Sequence, residues 1–221
     1  MKKQVKIIPA NYEVVEQLVR LTAFSKKGKP VTAIFDLDDL AKVKAINSWY
    51  AIWHKDFNSY LIQSKIAKKI NGKMHVEKST LSSLILNVSP NAPIHHLNGN
   101  ILDNRKSNLK IYDRFQKNDY EELSADVIAI HLKNRYGYLV AKALISRTDL
   151  DRVVTEEYTW TLKKHLTGQP FVIANTQAGV IALERYLTNC PEEAYVYHIN
   201  KNPLDNRREN LEIKPNIIEA E

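Results

Sequence analysis

Two adjacent imidazoles, His95 and His96, head a segment rich in amides: residues 94–111 read IHHLNGNILDNRKSNLKI. A neutral imidazole near pH 7 accepts a proton from water or ligates a metal. With Ile94 at the end of a strand, the two rings point to opposite sides. One then holds a metal while the other faces a reacting atom, or one is simply buried. Asn98-Gly99-Asn100 carries a turn signal, and Asp103-Asn104-Arg105 a second turn whose side-chain oxygens cap backbone N–H groups. Asn108-Leu109 returns the chain toward the strand, and the run Leu109–Tyr120 is expected to be helical.

The segment occurs twice. Residues 197–213 read YHINKNPLDNRRENLEI, so His96, Asn98, Asn100, Asp103, Asn104, Arg105 and Asn108 recur as His198, Asn200, Asn202, Asp205, Asn206, Arg207 and Asn210, each offset by 102. Upstream, Asp39-Leu40 recurs as Asp149-Leu150 and Trp49 as Trp160, at offsets of 110 and 111. Self-similarity of this kind organises a whole fold. A duplicated packing unit is the plain explanation of a repeat, but here the copied part is the most polar part of each unit.

The frame H-[LI]-N-x-N-x-L-D-N-R-[KR]-x-N-L-x-I resembles the HNH endonuclease family, in its phage and homing type. The likeness covers residues 49–118 well and 138–213 in weaker form. It implies an α+β chain of two tandem ββα-metal modules, each preceded by a small antiparallel strand and helix unit. It implies one divalent cation, Mg²⁺ or Mn²⁺, with His95 as a ligand, His96 as the general base and Asn108 orienting that base. It also implies hydrolysis of phosphodiester bonds in double-stranded DNA, leaving a 5′ phosphate, in a phage or mobile-element setting. A metal ion stabilises charge on the phosphate and the leaving oxygen, and an amide oxygen on the distal imidazole nitrogen fixes the tautomer.

Two positions break that pattern. The family's last ligand falls on Lys117, which cannot ligate while protonated, so the neighbouring Asn118 is the substitute. In the second copy the first ligand position is Tyr197, and Lys214-Pro215 interrupts any helix after the motif. His198 and Asn210 remain there as a degenerate site. The expectation is therefore an active first module (31–120) behind an N-terminal extension (1–30), and a degenerate second module (127–221). The alternative is an inactive tandem DNA-binding protein, regulator or repressor-like, whose two copies form a monomeric pseudo-dimer suited to paired half-sites. A third reading is a protein-interaction module on a decayed nuclease fold.

The elements that must position these groups read as strands Val31–Phe35, Trp49–His54, Tyr60–Ala67, Tyr138–Ile145, Thr159–Lys163 and Phe171–Asn175. Helices are expected at Asp38–Ala45, Glu77–Leu86, Asp149–Glu156 and Gln177–Leu187, and Trp49, Tyr50 and Trp53 are assigned to the core. The 221 residues, 44% hydrophobic and 26% charged, suffice for one or two packed domains. The single cysteine, Cys190, excludes an internal disulfide and thiolate-rich zinc sites. No apolar run approaches the ~20 residues of a bilayer span, and Lys6 and Pro9 interrupt the apolar N-terminus. A cytoplasmic protein without membrane contact is expected. The net charge of +7 favours a polyanionic partner. Lys65, Lys68, Lys69 and Lys73 around the Asn71-Gly72 turn, with Arg105 and Arg207, are the candidate DNA contacts. Lys26, Lys27 and Lys29 form a second basic patch.

Overall fold

The computed structural model describes residues 10–70 and 73–216, with the side chains of 66–70 and 73–75 outside what is described. The chain divides into two compact units, residues 1–112 and 113–221.

In the first unit β1 (Asn11–Val15), β2 (Leu18–Ser25) and β3 (Pro30–Asp36) form an antiparallel set centred on β2. Strict alternation sends Val19, Leu21 and Ala23 of β2 and Ala33 and Phe35 of β3 inward, all fully buried. Strand β2, which falls within the expected extension, therefore carries core residues of this unit. A 3₁₀ turn (Leu37–Asp39) leads into α1 (Leu40–Lys44). Strands β4 (Tyr50–His54), β5 (Ser59–Ile70) and β6 (Lys73–Thr80) follow as an antiparallel meander. The start of β4 joins the end of β2 in parallel, which makes one six-stranded sheet. Then come α2 (Leu81–Leu86) and the short hairpin of β7 (Ile94–His96) and β8 (Leu109–Ile111).

The second unit repeats this plan in three smaller sheets. β9 (Tyr120–Glu122), β10 (Val127–Lys133) and β11 (Leu139–Ser146) precede a 3₁₀ turn and α3 (Leu150–Val153). The meander is β12 (Trp160–Lys164), β13 (Pro170–Thr176) and β14 (Gly179–Ala182), followed by α4 (Leu183–Thr188). β15 (Ala194–His198), β16 (Asp205–Asn206) and β17 (Leu211–Pro215) carry the second motif.

The expected pair of ββα-metal modules is not what forms. Among the described residues 46% are strand and 18% helix, spread over several small sheets. Among the described residues no helix follows the motif in either unit. In the first copy the run expected to be helical gives β8 and then an irregular strap. Asp113 Oδ1 accepts from the Phe115 N–H at 2.9 Å, a local turn that competes with helix formation. Further on, Thr159 donates to the Gln116 carbonyl and the His131 N–H to the Asp119 carbonyl, so the strap belongs to the second unit.

Two expected helices also start late. Residues 77–80 continue β6, and α2 begins only where Thr80 and Ser83 form a reciprocal capping box. In the second unit residues 179–182 are β14, and α4 begins at Leu183. Both helices end on an asparagine in the left-handed region, Asn87 (φ 56°) and Asn189 (φ 50°).

The duplicated upstream residues have matching tasks. Trp49 Nε1 donates to the Val43 carbonyl at 3.1 Å and Trp160 Nε1 to the Val153 carbonyl at 3.0 Å. Each buried indole thereby closes the end of α1 or α3. Asp39 (4% exposed) pairs with Lys106 at 2.9 Å, and Asp149 (1% exposed) with Arg208 at 2.5 Å. Lys106 and Arg208 follow the motif arginines directly, so the aspartate of the duplicated Asp-Leu pair anchors each motif.

Candidate functional site

The histidine motif forms the same closed hydrogen-bond clasp in both units. In the first, the Asp103 carboxylate accepts from Arg105 Nε (2.9 Å) and Nη2 (2.6 Å) and from Asn98 Nδ2 (2.8 Å). Asn98 Oδ1 accepts the Asn100 N–H, and Asn100 Oδ1 accepts the Leu102 N–H. Asn108 Oδ1 accepts the Asn98 N–H at 2.9 Å while Nδ2 donates to the Asp103 carbonyl at 2.7 Å. In the second unit Asp205, Arg207, Asn200, Asn202 and Asn210 repeat these bonds.

Asp103, Asn104 and Asn108 are all buried, as are Asp205, Asn206 and Asn210. Buried amides and carboxylates are stable only when satisfied, and here each motif residue satisfies another. The Arg105 guanidinium beside Asp103 holds that carboxyl below the usual range, as Arg207 does for Asp205. The loop also docks on the hairpin sheet. The Ile34 N–H donates to the Leu102 carbonyl (2.8 Å) and the Asn104 N–H to the Ile34 carbonyl (2.7 Å). In the second unit β16 pairs in parallel with β11 through Leu144 and Ile145.

The two histidines do face opposite sides. His96 shares the inward face with Ile94 and is 2% exposed, whereas His95 is half-buried. Burial lowers the pKa of His96 to about 4; a hydrogen bond with Asn104 and the Asp103 charge oppose that shift and His95 adds to it. In the second unit His198 Nε2 and Asn206 Oδ1 lie 3.3 Å apart, and Asn104 is the matching residue beside His96 in the first, whereas Asn108 is spent on the loop backbone.

The groups assigned to a metal are committed elsewhere. Lys110 stands directly opposite His95 in the β7–β8 register. Asn118 lies in the second unit, 7% exposed, with its amide fully engaged. Its Nδ2 donates to the carbonyls of His131 (2.9 Å) and Trp160 (2.8 Å), and its Oδ1 accepts the Trp160 N–H (2.8 Å). Lys117 pairs with Glu156. In the second copy the Lys214 ammonium sits 4.3 Å over the Tyr197 ring, so positive charge occupies the ligand position. Among the described residues no group of three or more His, Cys, Asp or Glu could hold a metal ion. The donor set therefore does not fit Mg²⁺ or Mn²⁺.

The candidate DNA contacts are distributed differently. Arg105 and Arg207 are bound to their own aspartates. The side chains of Lys68, Lys69 and Lys73 and the Asn71-Gly72 turn lie outside the described residues. Lys65 is exposed on the outer face of the β4–β5–β6 sheet, 5.5 Å over the Tyr50 ring. Tyr50 donates to Gln63 Oε1 at 3.3 Å on that same face. Of the aromatics assigned to the core, Trp49 is buried, Tyr50 half-buried, and Trp53 52% exposed against Tyr60. Sequence reasoning missed Lys78, which the strand register sets directly opposite Lys65. The alternation of Met74 and Val76 within residues 73–76 was the signal that a strand begins here. Among the described residues no helix is long and apolar enough to cross a membrane.

Compared with protein-family models, with curated proteins and with solved structures, the chain matches none of them.

Proposed function

We propose that the protein binds double-stranded DNA and does not cut it. The observation that carries the second half is the buried, clasped motif. A general base must reach its water and be neutral at working pH. His96 is neutral but buried, and the amide meant to orient it closes the motif loop instead. The polar residues kept in both copies are accounted for by folding, so their retention is no longer a reason to expect catalysis.

The first half rests on charge. The first unit carries 18 Lys and Arg against 8 Asp and Glu, the second 14 against 17. The excess of ten positive charges in a unit this small favours a polyphosphate through counterion release. The test is the anisotropy of a fluorescent random-sequence duplex pool titrated with protein across a salt series. Binding whose logarithm falls linearly with log salt supports the reading. Absent or salt-insensitive binding overturns it.

A further inference from the structure

We infer that duplex contact is made by one sheet face of the first unit, the outer face of β4–β5–β6, and that the second unit contributes no equivalent half-site. This rests on the DNA-binding reading above and goes beyond it by naming the surface and excluding its copy.

The strand register aligns Tyr50 with Gln63 and Thr80, and Lys65 with Lys78, on the face opposite the buried Ala51, Ile62 and Ser64. Like charges directly opposite on neighbouring strands destabilise a sheet. Lys65 and Lys78 are such a pair, both exposed, and neither has an acidic partner among the described residues. A polyanion laid across the face would relieve that repulsion. Between the lysines and the strand start lie Tyr50, Gln63 and the 43% exposed Ile52. These are groups able to meet base edges and thymine methyls while ammonium groups hold phosphates. A major groove about 12 Å wide admits a β-ribbon.

The duplicated sheet shows what the second unit has in the same places. Its register aligns Thr161 with Ile173 and Ala182, and Asn175 with Val180. The lysine pair is thus replaced by Asn175 and Val180, and Gln63 by Ile173, which is 4% exposed. His165 stacks on Phe171 at 4.1 Å and covers part of that face. Several other cations of the second unit are neutralised by their own chain: Lys133 by Asp119, Lys142 by Glu121, Arg147 by Glu122, Arg208 by Asp149. Two equivalent half-sites would need the same cross-strand lysine pair on both faces; the second face keeps only the exposed Lys163, opposite Phe171.

The test compares salt slopes of the full chain, Lys65→Gln/Lys78→Gln and Lys163→Gln/Lys164→Gln on the same duplex pool. Each lost phosphate contact lowers the slope of log K against log salt by about 0.9. The first double variant is expected to lose about 1.8 of slope, with circular dichroism unchanged, and the second to match wild type. Equal losses in the two variants, or a loss only in the second, overturn the assignment while leaving DNA binding intact. An undiminished slope in the first variant does the same. No binding by wild type overturns the DNA-binding reading itself, and this assignment with it.

Discussion

The buried imidazole of His96 makes the first unit sensitive to mild acid. Burial depresses its pKa to about 4, below the ordinary 6.5. A histidine kept neutral in the fold but free to ionise when unfolded contributes fully above the unfolded pKa. That contribution is lost as pH falls from 6.5 toward 4, because the unfolded chain binds the extra proton. Worked from those two values, the loss between pH 8 and pH 4.5 is on the order of 2–3 kcal/mol, a substantial share of a small unit's stability. Carboxylates held low in the fold, Asp103 among them, begin to lose stability only near the acid end of this range and below it, so the comparison is with His96→Leu, which keeps an apolar side chain of similar size and cannot ionise. Native-state hydrogen exchange of the β2 and β3 amides, corrected for intrinsic rates, reads opening of this unit alone. Wild type is expected to lose roughly 2–3 kcal/mol more than the variant on going to pH 4.5. Parallel losses would mean that His96 titrates like a solvated imidazole. The burial argument would then fail, and the case against a general base with it.

Other perturbations probe the clasp and its neighbours. Asp103→Asn and Asp205→Asn each strip a buried carboxylate from its arginine, and each is expected to cost about 2–3 kcal/mol in its own unit by urea unfolding. A markedly unequal pair would contradict the shared structural role. Thr80→Ala removes the capping box of α2 and is expected to cost about 1 kcal/mol. Asn118→Ala is expected to destabilise the second unit by about 2–3 kcal/mol, since two backbone carbonyls and one N–H lose a buried partner. Loss of exchange protection at β10 and β12, with the first unit unaffected, checks it.

The sequence made the repeat legible because its identities are polar, closely spaced and free of gaps. It also made legible that His95 and His96 face opposite sides, since alternation along even a three-residue strand fixes that. It did not reveal that the polar residues spend their hydrogen bonds on one another. Asn98, Asp103 and Asn108 have the same types in a catalytic loop as in a self-satisfied one, and only the closed loop geometry distinguishes the two. The helix expected after the motif failed for a related reason. Residues 112–119 carry no Gly or Pro, but Asp113 caps a local turn and Asn118 bonds to strands more than ten residues away, as tertiary partners overrode local pattern. Lys78 was hidden because residues 77–86 read as one amphipathic helix, although Thr80 and Ser83 mark where strand gives way to helix.

The claim that the motif clasps the fold instead of cutting DNA is tested most directly on the strands themselves. Duplexes retained by the protein from a random pool, held with Mn²⁺ and then Mg²⁺, are denatured and sized. The account predicts intact strands in the bound fraction at every time point. Nicks that accumulate in bound duplexes and disappear with His96→Ala would contradict it.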